Sequence, residues 1–209
     1  MIGSGFSNDI REDQNCKERH LRDPRFNPYP GGQAGNDQYS FDKNDFGLFV
    51  GHGWTNGLCF ANQVDAWDIL GEYIRWGNWD LEWTYIFACN FTSNGGNPTY
   101  QTNDEMMLAG THAICGFVDT AIFVGDGFAQ GQRFSDCIRG QGPYSFARTI
   151  IDGWDTAADY YITGGIRLRN YYGYGCRYDY LPGEGSYSQT DPVPVESGGQ
   201  PYSFIYTLT

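Results

Sequence analysis

A mainly parallel α/β fold is predicted by two features of the 209-residue chain. Three short, nearly continuous apolar runs read as buried strands: Phe46-Gly47-Leu48-Phe49-Val50-Gly51, Leu81 to Ala88, and His112 to Val118. Segments with helical spacing separate or follow them, and strands alternating with helices imply βαβ crossovers. Aromatic residues make up 17% of the chain, which excludes intrinsic disorder.

Each element has its own local reason. The first forty-odd residues are polar and turn-rich, with Asp23-Pro24 and Pro30-Gly31-Gly32, and are expected to pack as hairpin or loop on a core made elsewhere. Asp65 is placed to cap a helix over residues 66–76, where Trp67, Leu70, Tyr73 and Ile74 follow helical spacing, although Gly71 weakens it. The polar stretch from Asn90 to Asn103 reads as loop, and Asp104 to Leu108 as a short helix. Helical periodicity returns over residues 127–138 (Phe128, Phe134, Cys137) and 144–160 (Phe146, Ile150, Ile151, Trp154). Ile166 to Arg169 is expected as a strand, the Gly-, Tyr-, Pro- and Ser-rich residues 171–199 as loops, and residues 202–208 as a terminal strand. No internal repeat or linker divides the chain, so one domain is expected.

Charge narrows the function classes. The formal charge is −12, with only 13 Lys+Arg, of which Lys17 and Lys43 are the two lysines. Nucleic-acid backbones and anionic membranes attract basic surfaces and are not expected partners, whereas basic substrates suit this balance, as does simple solubility. No apolar run approaches the roughly 18 residues of a membrane-spanning helix. Met1 to Ile10 lacks a basic segment followed by an apolar core and does not read as a signal peptide. Low lysine with high Tyr, Trp, Asn and Gly content nonetheless points to an exported, extracellular protein. Cys16, Cys59, Cys89, Cys115, Cys137 and Cys176 show neither CxxC nor Cys/His metal spacing, so no metal or other cofactor is expected.

The chemistry is expected where two strands end. Phe49-Val50-Gly51-His52-Gly53 and Ile86-Phe87-Ala88-Cys89-Asn90 each finish an apolar run on a reactive side chain. Carboxyl ends of parallel strands line the crevice where ligands bind. Neighbouring strands, about 4.8 Å apart, would bring His52 and Cys89 to one rim, with room for one crossover helix between them. Imidazole helps generate the attacking thiolate and then protonates the leaving amine. Gly53, lacking a side chain, lets its N–H approach a substrate carbonyl, and with the N–H of Cys89 it would form an oxyanion hole.

At these residues the chain resembles the clan of cysteine peptidases that includes caspases, legumains, gingipains, clostripain and separases. It is also similar to caspase-like domains of bacteria and fungi that have no assigned function. The matching segments are Phe49-Val50-Gly51-His52-Gly53 and Ile86-Phe87-Ala88-Cys89, with Gly110-Thr111-His112-Ala113-Ile114-Cys115-Gly116-Phe117 similar to the strand after the nucleophile. The resemblance covers roughly residues 44–160. It implies a three-layer α/β/α sandwich of caspase–haemoglobinase type over the whole chain, 1–209, with residues 164–209 as a loop-rich addition. It further implies a cysteine endopeptidase working through an acyl-enzyme on peptide or protein substrates. Asp119, Thr120 and Asp126 fall where related enzymes read the substrate residue before the cut. There Asp119 and Asp126 would floor a pocket for Arg or Lys, with Trp54 beside it.

Blander readings stand beside these. Cys89 fits equally a small buried hydrophobe and His52 a turn residue. Asp119 and Asp126 fit turn and helix capping. His112 and Cys115 read as core residues, and Cys59 as core or disulfide-bonded. Asp42-Lys43-Asn44-Asp45-Phe46-Gly47 starts like a calcium loop but fails at Phe46 and lacks the distal Glu, so it reads as a turn leading into a strand. Asn90-Phe91-Thr92 fits a glycosylation acceptor but abuts Cys89, where a glycan would block substrate. Two rival functions follow: an inactive caspase-like module binding glycan or protein through Trp54, Trp76, Trp79 and Tyr171 to Tyr174, or a structural surface protein.

Overall fold

Side chains on successive residues of a strand point to opposite faces, so a strand buried on both faces feeds two cores at once. A computed structural model of the chain, describing residues 16–26, 33–60, 68–120, 127–162, 165–188 and 190–209, shows this at the two central strands. In chain order the described elements are β1 (Phe46–Val50), β2 (Gly53–Trp54), β3 (Gly57–Cys59), β4 (Asp68–Leu70), β5 (Trp83–Phe87) and α1 (Pro98–Met106). They continue with β6 (Ala113–Phe117), α2 (Gly127–Arg139), α3 (Ile150–Tyr161), β7 (Arg167–Tyr172) and β8 (Tyr202–Thr207). The fold is mixed α/β, built on a five-stranded sheet in the order β1-β5-β6-β7-β8, with a separate three-stranded sheet β2-β3-β4. β1, β5 and β6 are parallel, while β7 runs antiparallel to both its neighbours, so four of the five strands point the same way.

Trp83 and Tyr85 of β5 and Ala113, Cys115 and Phe117 of β6 enter one core with Ile138, Ile150, Ile151, Trp154 and Ala158 from α2 and α3. Ile86, Ala88 and Ile114 enter the other, with Phe49, Ile74, Trp76, Phe91, Met107 and Tyr171. Trp154 packs its indole against Tyr85, Phe87 and Phe117.

The expected strands and the helix α2 are present where sequence placed them, and β7 extends three residues beyond its expected end. Four expectations need correction. No crossover helix occupies the described part of residues 66–76: residues 68–70 pair antiparallel with Gly57–Cys59, and Gly71 to Tyr73 form a 3-10 turn. The Gly71 N–H donates to Asn56 O, and Ile74 and Trp76 are both fully buried. Their apolar spacing therefore reflects irregular chain entering a core, and sheet pairing overrode helical periodicity. Asp65 and Trp67 lie outside the described residues. Second, α1 begins at Pro98, six residues before the expected helix. Asn97 caps it by accepting from the Thr99 N–H, and Pro98 supplies the favoured first-turn residue. Asp104 is its buried residue, so hydrophobic periodicity could not reveal it. Third, α3 starts only after Thr149, whose hydroxyl accepts from the Asp152 N–H. Fourth, Trp76 and Tyr171, expected on the surface, are both at 0% exposure. Among the described residues no helix is long and apolar enough to cross a membrane.

The turn-rich first segment carries a buried polar group. Glu18 and Arg22 pair at 2.7 Å with both side chains fully enclosed. Asp42 accepts from the Gly77 N–H at 2.6 Å, so the Asp42–Asp45 turn braces the chain ahead of β1. Burial pushes Asp37 up to about 8 and Asp42 to about 7. Asp104, accepting from Tyr171 Oη at 2.9 Å, and Asp155, accepting from Asn170, are each also raised by burial to about 7.

These carboxyls hold their protons more tightly folded than unfolded. Their stabilising effect is complete below the ordinary carboxylate range and is lost as pH rises through about 7 to 8. Asp119 and Glu196, lowered by their arginine partners, act oppositely and lose their contribution in acid. Thermal denaturation is therefore expected to show maximal stability at about pH 4 to 5, a decline from about pH 5 to pH 8, and no further loss from these groups above that. Asp104→Asn should flatten part of that decline; an unaltered slope would remove Asp104 from it.

Candidate active site

The parallel pairing of β1 and β5 runs from Phe46↔Trp83 to Val50↔Phe87, and the Gly51 N–H carries it one step further by donating to Phe87 O at 3.1 Å. His52 and Cys89 each follow two residues after the last pair, on strands about 4.8 Å apart. Both therefore leave the sheet at its carboxyl rim, from adjacent parallel strands. The His52 backbone is held from the other side, where its carbonyl accepts from the Cys59 N–H at 2.9 Å. Its side chain is exposed, and Cys89 is half-buried.

Gly53 shows how tightly the two strand ends meet. A Cβ at this position would lie 2.7 Å from the Cys89 carbonyl oxygen, 2.8 Å from Ala88 Cβ and 3.2 Å from Gly57 O. Only a residue without a side chain fits this approach. From Gly53 the chain enters the β2–β3 hairpin, and the Trp54 indole lies over Gly57, with Trp54 itself 41% exposed.

Cys89 is followed by a sharp turn. Asn90 adopts φ 58, a left-handed conformation for which asparagine is among the favoured non-glycine residues. Its N–H donates to the Asp119 carbonyl at 3.1 Å and its amide to Thr120 Oγ1 at 3.2 Å. Three parallel strand ends thus converge, carrying His52, Cys89 and Asp119.

The Asp119 carboxylate itself is engaged. Arg167 at the start of β7 contacts both of its oxygens, at 2.6 Å and 2.9 Å, and adds its backbone N–H at 2.9 Å. The side-chain hydrogen bonds from Arg167 hold Asp119 below the usual carboxylate range. Asp126, the other expected pocket residue, lies outside the described residues. All six cysteines are thiols, none of them in a disulfide.

A second group of reactive side chains gathers around His112, which sequence assigned to the core. The imidazole is buried, at 1% exposure, with Trp83 edge-on to the ring and carboxylates facing both nitrogens. Nδ1 lies 2.7 Å from Asp179 Oδ2 and Nε2 2.8 Å from Glu82 Oε2, with Cys176 close by. Burial opposes the imidazolium, yet Asp179, Cys176 and Glu82 outweigh it and push the pKa up to about 12. Sequence reasoning missed this group because Glu82 and His112 are 30 and Asp179 a further 67 residues apart. The one local signal was Cys176 and Asp179 three residues apart.

Gly53→Ala is expected to destabilise the protein by about 1–3 kcal/mol, since the new methyl meets backbone on one side and core on the other. Denaturant unfolding measures it, and an unchanged midpoint would mean that the strand ends separate without cost.

No curated protein and no solved structure matches the chain. A family model described as a domain of unknown function (DUF6345) matches residues 4–190, a span that takes in His52, Cys89, His112 and Cys176. The chain belongs to that family.

Proposed function

We propose that the protein is a cysteine endopeptidase of caspase–gingipain type, with the sheet as the centre of a three-layer α/β/α sandwich. Cys89 is the nucleophile, and its thiolate adds to the substrate carbonyl. His52 accepts the thiol proton and returns it to the leaving amine, so an acyl-enzyme remains on Cys89 for water to release. The N–H groups of Gly53 and Cys89 hold the oxyanion. The observation that carries this reading is that His52 and Cys89 follow the carboxyl ends of adjacent parallel strands, with Gly53 pressed against the Cys89 backbone.

Basic residues before the scissile bond are the proposed preference, in keeping with a formal charge of −12. Asp119 serves that preference in competition with Arg167, which spans both of its oxygens. Trp54, exposed at the rim, is placed to line the substrate path. An inactive binding module is the second reading, favoured by the exposed rings of Trp54, Trp79, Tyr174 and Tyr178.

An electrophilic peptide probe with Arg at its reactive end should label the wild type at Cys89, identified by peptide mapping. Cys89→Ala should abolish labelling, and His52→Ala should slow it by about 100-fold or more. Equal labelling of the wild type and Cys89→Ala would sink the peptidase reading and leave the binding module. Arg167→Ala frees the Asp119 carboxylate, so it should raise the ratio of Arg-probe to neutral-probe labelling. A constant ratio would remove Asp119 from specificity.

A further inference from the structure

His112 directly precedes β6, at the amino rim of the sheet. β6 spans about 17 Å, so this histidine is remote from the rim that carries His52 and Cys89. Gly173 ties the following loop to it, because its N–H donates to the His112 carbonyl at 3.1 Å. Gly175 then takes φ 87 and admits a 3-10 turn, Cys176–Tyr178. That turn repeats every three residues, so Cys176 and Asp179 fall on the same side. Donor atoms of His112, Cys176 and Asp179 all lie within 4.8 Å of one another, and the three residues are 1%, 1% and 3% exposed.

We propose that His112 Nδ1, Cys176 Sγ and an Asp179 oxygen form a binding site for a divalent transition-metal ion, with zinc as the best match. One imidazole, one thiolate and one carboxylate suit a borderline-soft ion, whereas calcium and magnesium take oxygen ligands. Thiolate and carboxylate together balance the two positive charges. Three protein ligands leave a fourth tetrahedral position for water or another donor. The surrounding contacts fit as well. Metal-bound histidines characteristically direct their other ring nitrogen at a carboxylate, and Nε2 faces Glu82 at 2.8 Å. The remaining oxygen of Asp179, Oδ1, accepts from the Ser188 N–H at 2.7 Å, which orients the carboxylate.

On binding, the metal forms bonds to nitrogen, sulfur and oxygen. The Nδ1 proton and the Cys176 thiol proton leave to solvent. The alternative group on the other ring nitrogen, Glu82 and Asp191, offers only carboxylates, and Asp191 is 63% exposed and 3.9 Å away. The buried group is the better cage. Its effect is to staple a loop-rich stretch to the sheet: between residues 173 and 188, Cys176 and Leu181 are the buried apolar side chains among the described residues.

The test is titration of the reduced, chelator-treated full chain with Co²⁺, followed by displacement with Zn²⁺. One equivalent should bind with a thiolate-to-cobalt charge-transfer band and tetrahedral d–d absorption, and zinc should remove both. Cys176→Ser should lose the charge-transfer band while Cys89→Ser keeps it. Glu82→Gln should weaken cobalt binding about 10- to 100-fold and retain the band. On the wild type, zinc should also slow amide hydrogen exchange across residues 173–188. A wild type that takes up no cobalt, or a band that survives Cys176→Ser, overturns the site. Should Cys176→Ser fail to fold by circular dichroism, unchanged affinity in Glu82→Gln overturns it instead.

Discussion

The parallel pairing of β1 with β5 is the constraint on which the arrangement depends. Five consecutive residues of each strand are in register, and no slip is tolerated because β5 is buried on both faces. Moving β5 by one residue would exchange Trp83 and Tyr85 with Thr84 and Ile86, forcing two large rings into the space of a hydroxyl and an aliphatic side chain. The register therefore sets where each chain leaves the sheet. It brings the chain segments of His52 and Cys89 out at one rim, and Gly53 makes the contact between the two exits possible by having no side chain.

Packing around this sheet is aromatic on one face and mixed on the other. Trp154 touches three rings from β5 and β6, so α3 is held by large, rigid surfaces whose burial is the main stabilising term. The opposite face includes enclosed carboxyls. Asp104 accepts from Tyr171, and the first segment encloses Glu18, Arg22, Asp37 and Asp42. Buried charge stabilises less than a well-packed apolar core, but its partners are specific. Specific partners are what loop-rich segments need, since they have few apolar side chains with which to choose a position.

The two rims of the sheet present opposite chemistry. At the carboxyl rim the reactive groups are an exposed imidazole and a half-buried thiol, accessible to a ligand. At the amino rim His112 is enclosed among Asp179, Glu82 and Cys176. The same pair of residue types is thus open to solvent in one place and enclosed in the other, which is why we propose turnover for the first and ion binding for the second. An enclosed thiol flanked by carboxylates is a poor nucleophile toward a peptide, whereas enclosure favours a bound ion.

Sequence by itself determined the three parallel strands, the two carboxyl-end residues His52 and Cys89, helix α2 and the terminal strand. Each has a local cause: apolar runs too short for helices, a reactive residue directly after a run, or apolar positions at helical spacing. It did not reveal α1, whose signal is the Asn97 cap and Pro98 rather than an apolar stripe. It misread Tyr73 to Trp76, where burial on several sides imitates helical periodicity. Only tertiary structure decided that the β1–β5 connection includes a small sheet, that Arg167 occupies Asp119, and that His112 meets Glu82, Cys176 and Asp179. The last two are contacts between residues 30 to 67 apart in the chain. Periodicity and spacing describe what neighbours along the chain do, and they carry no information about which distant segments the sheet brings face to face.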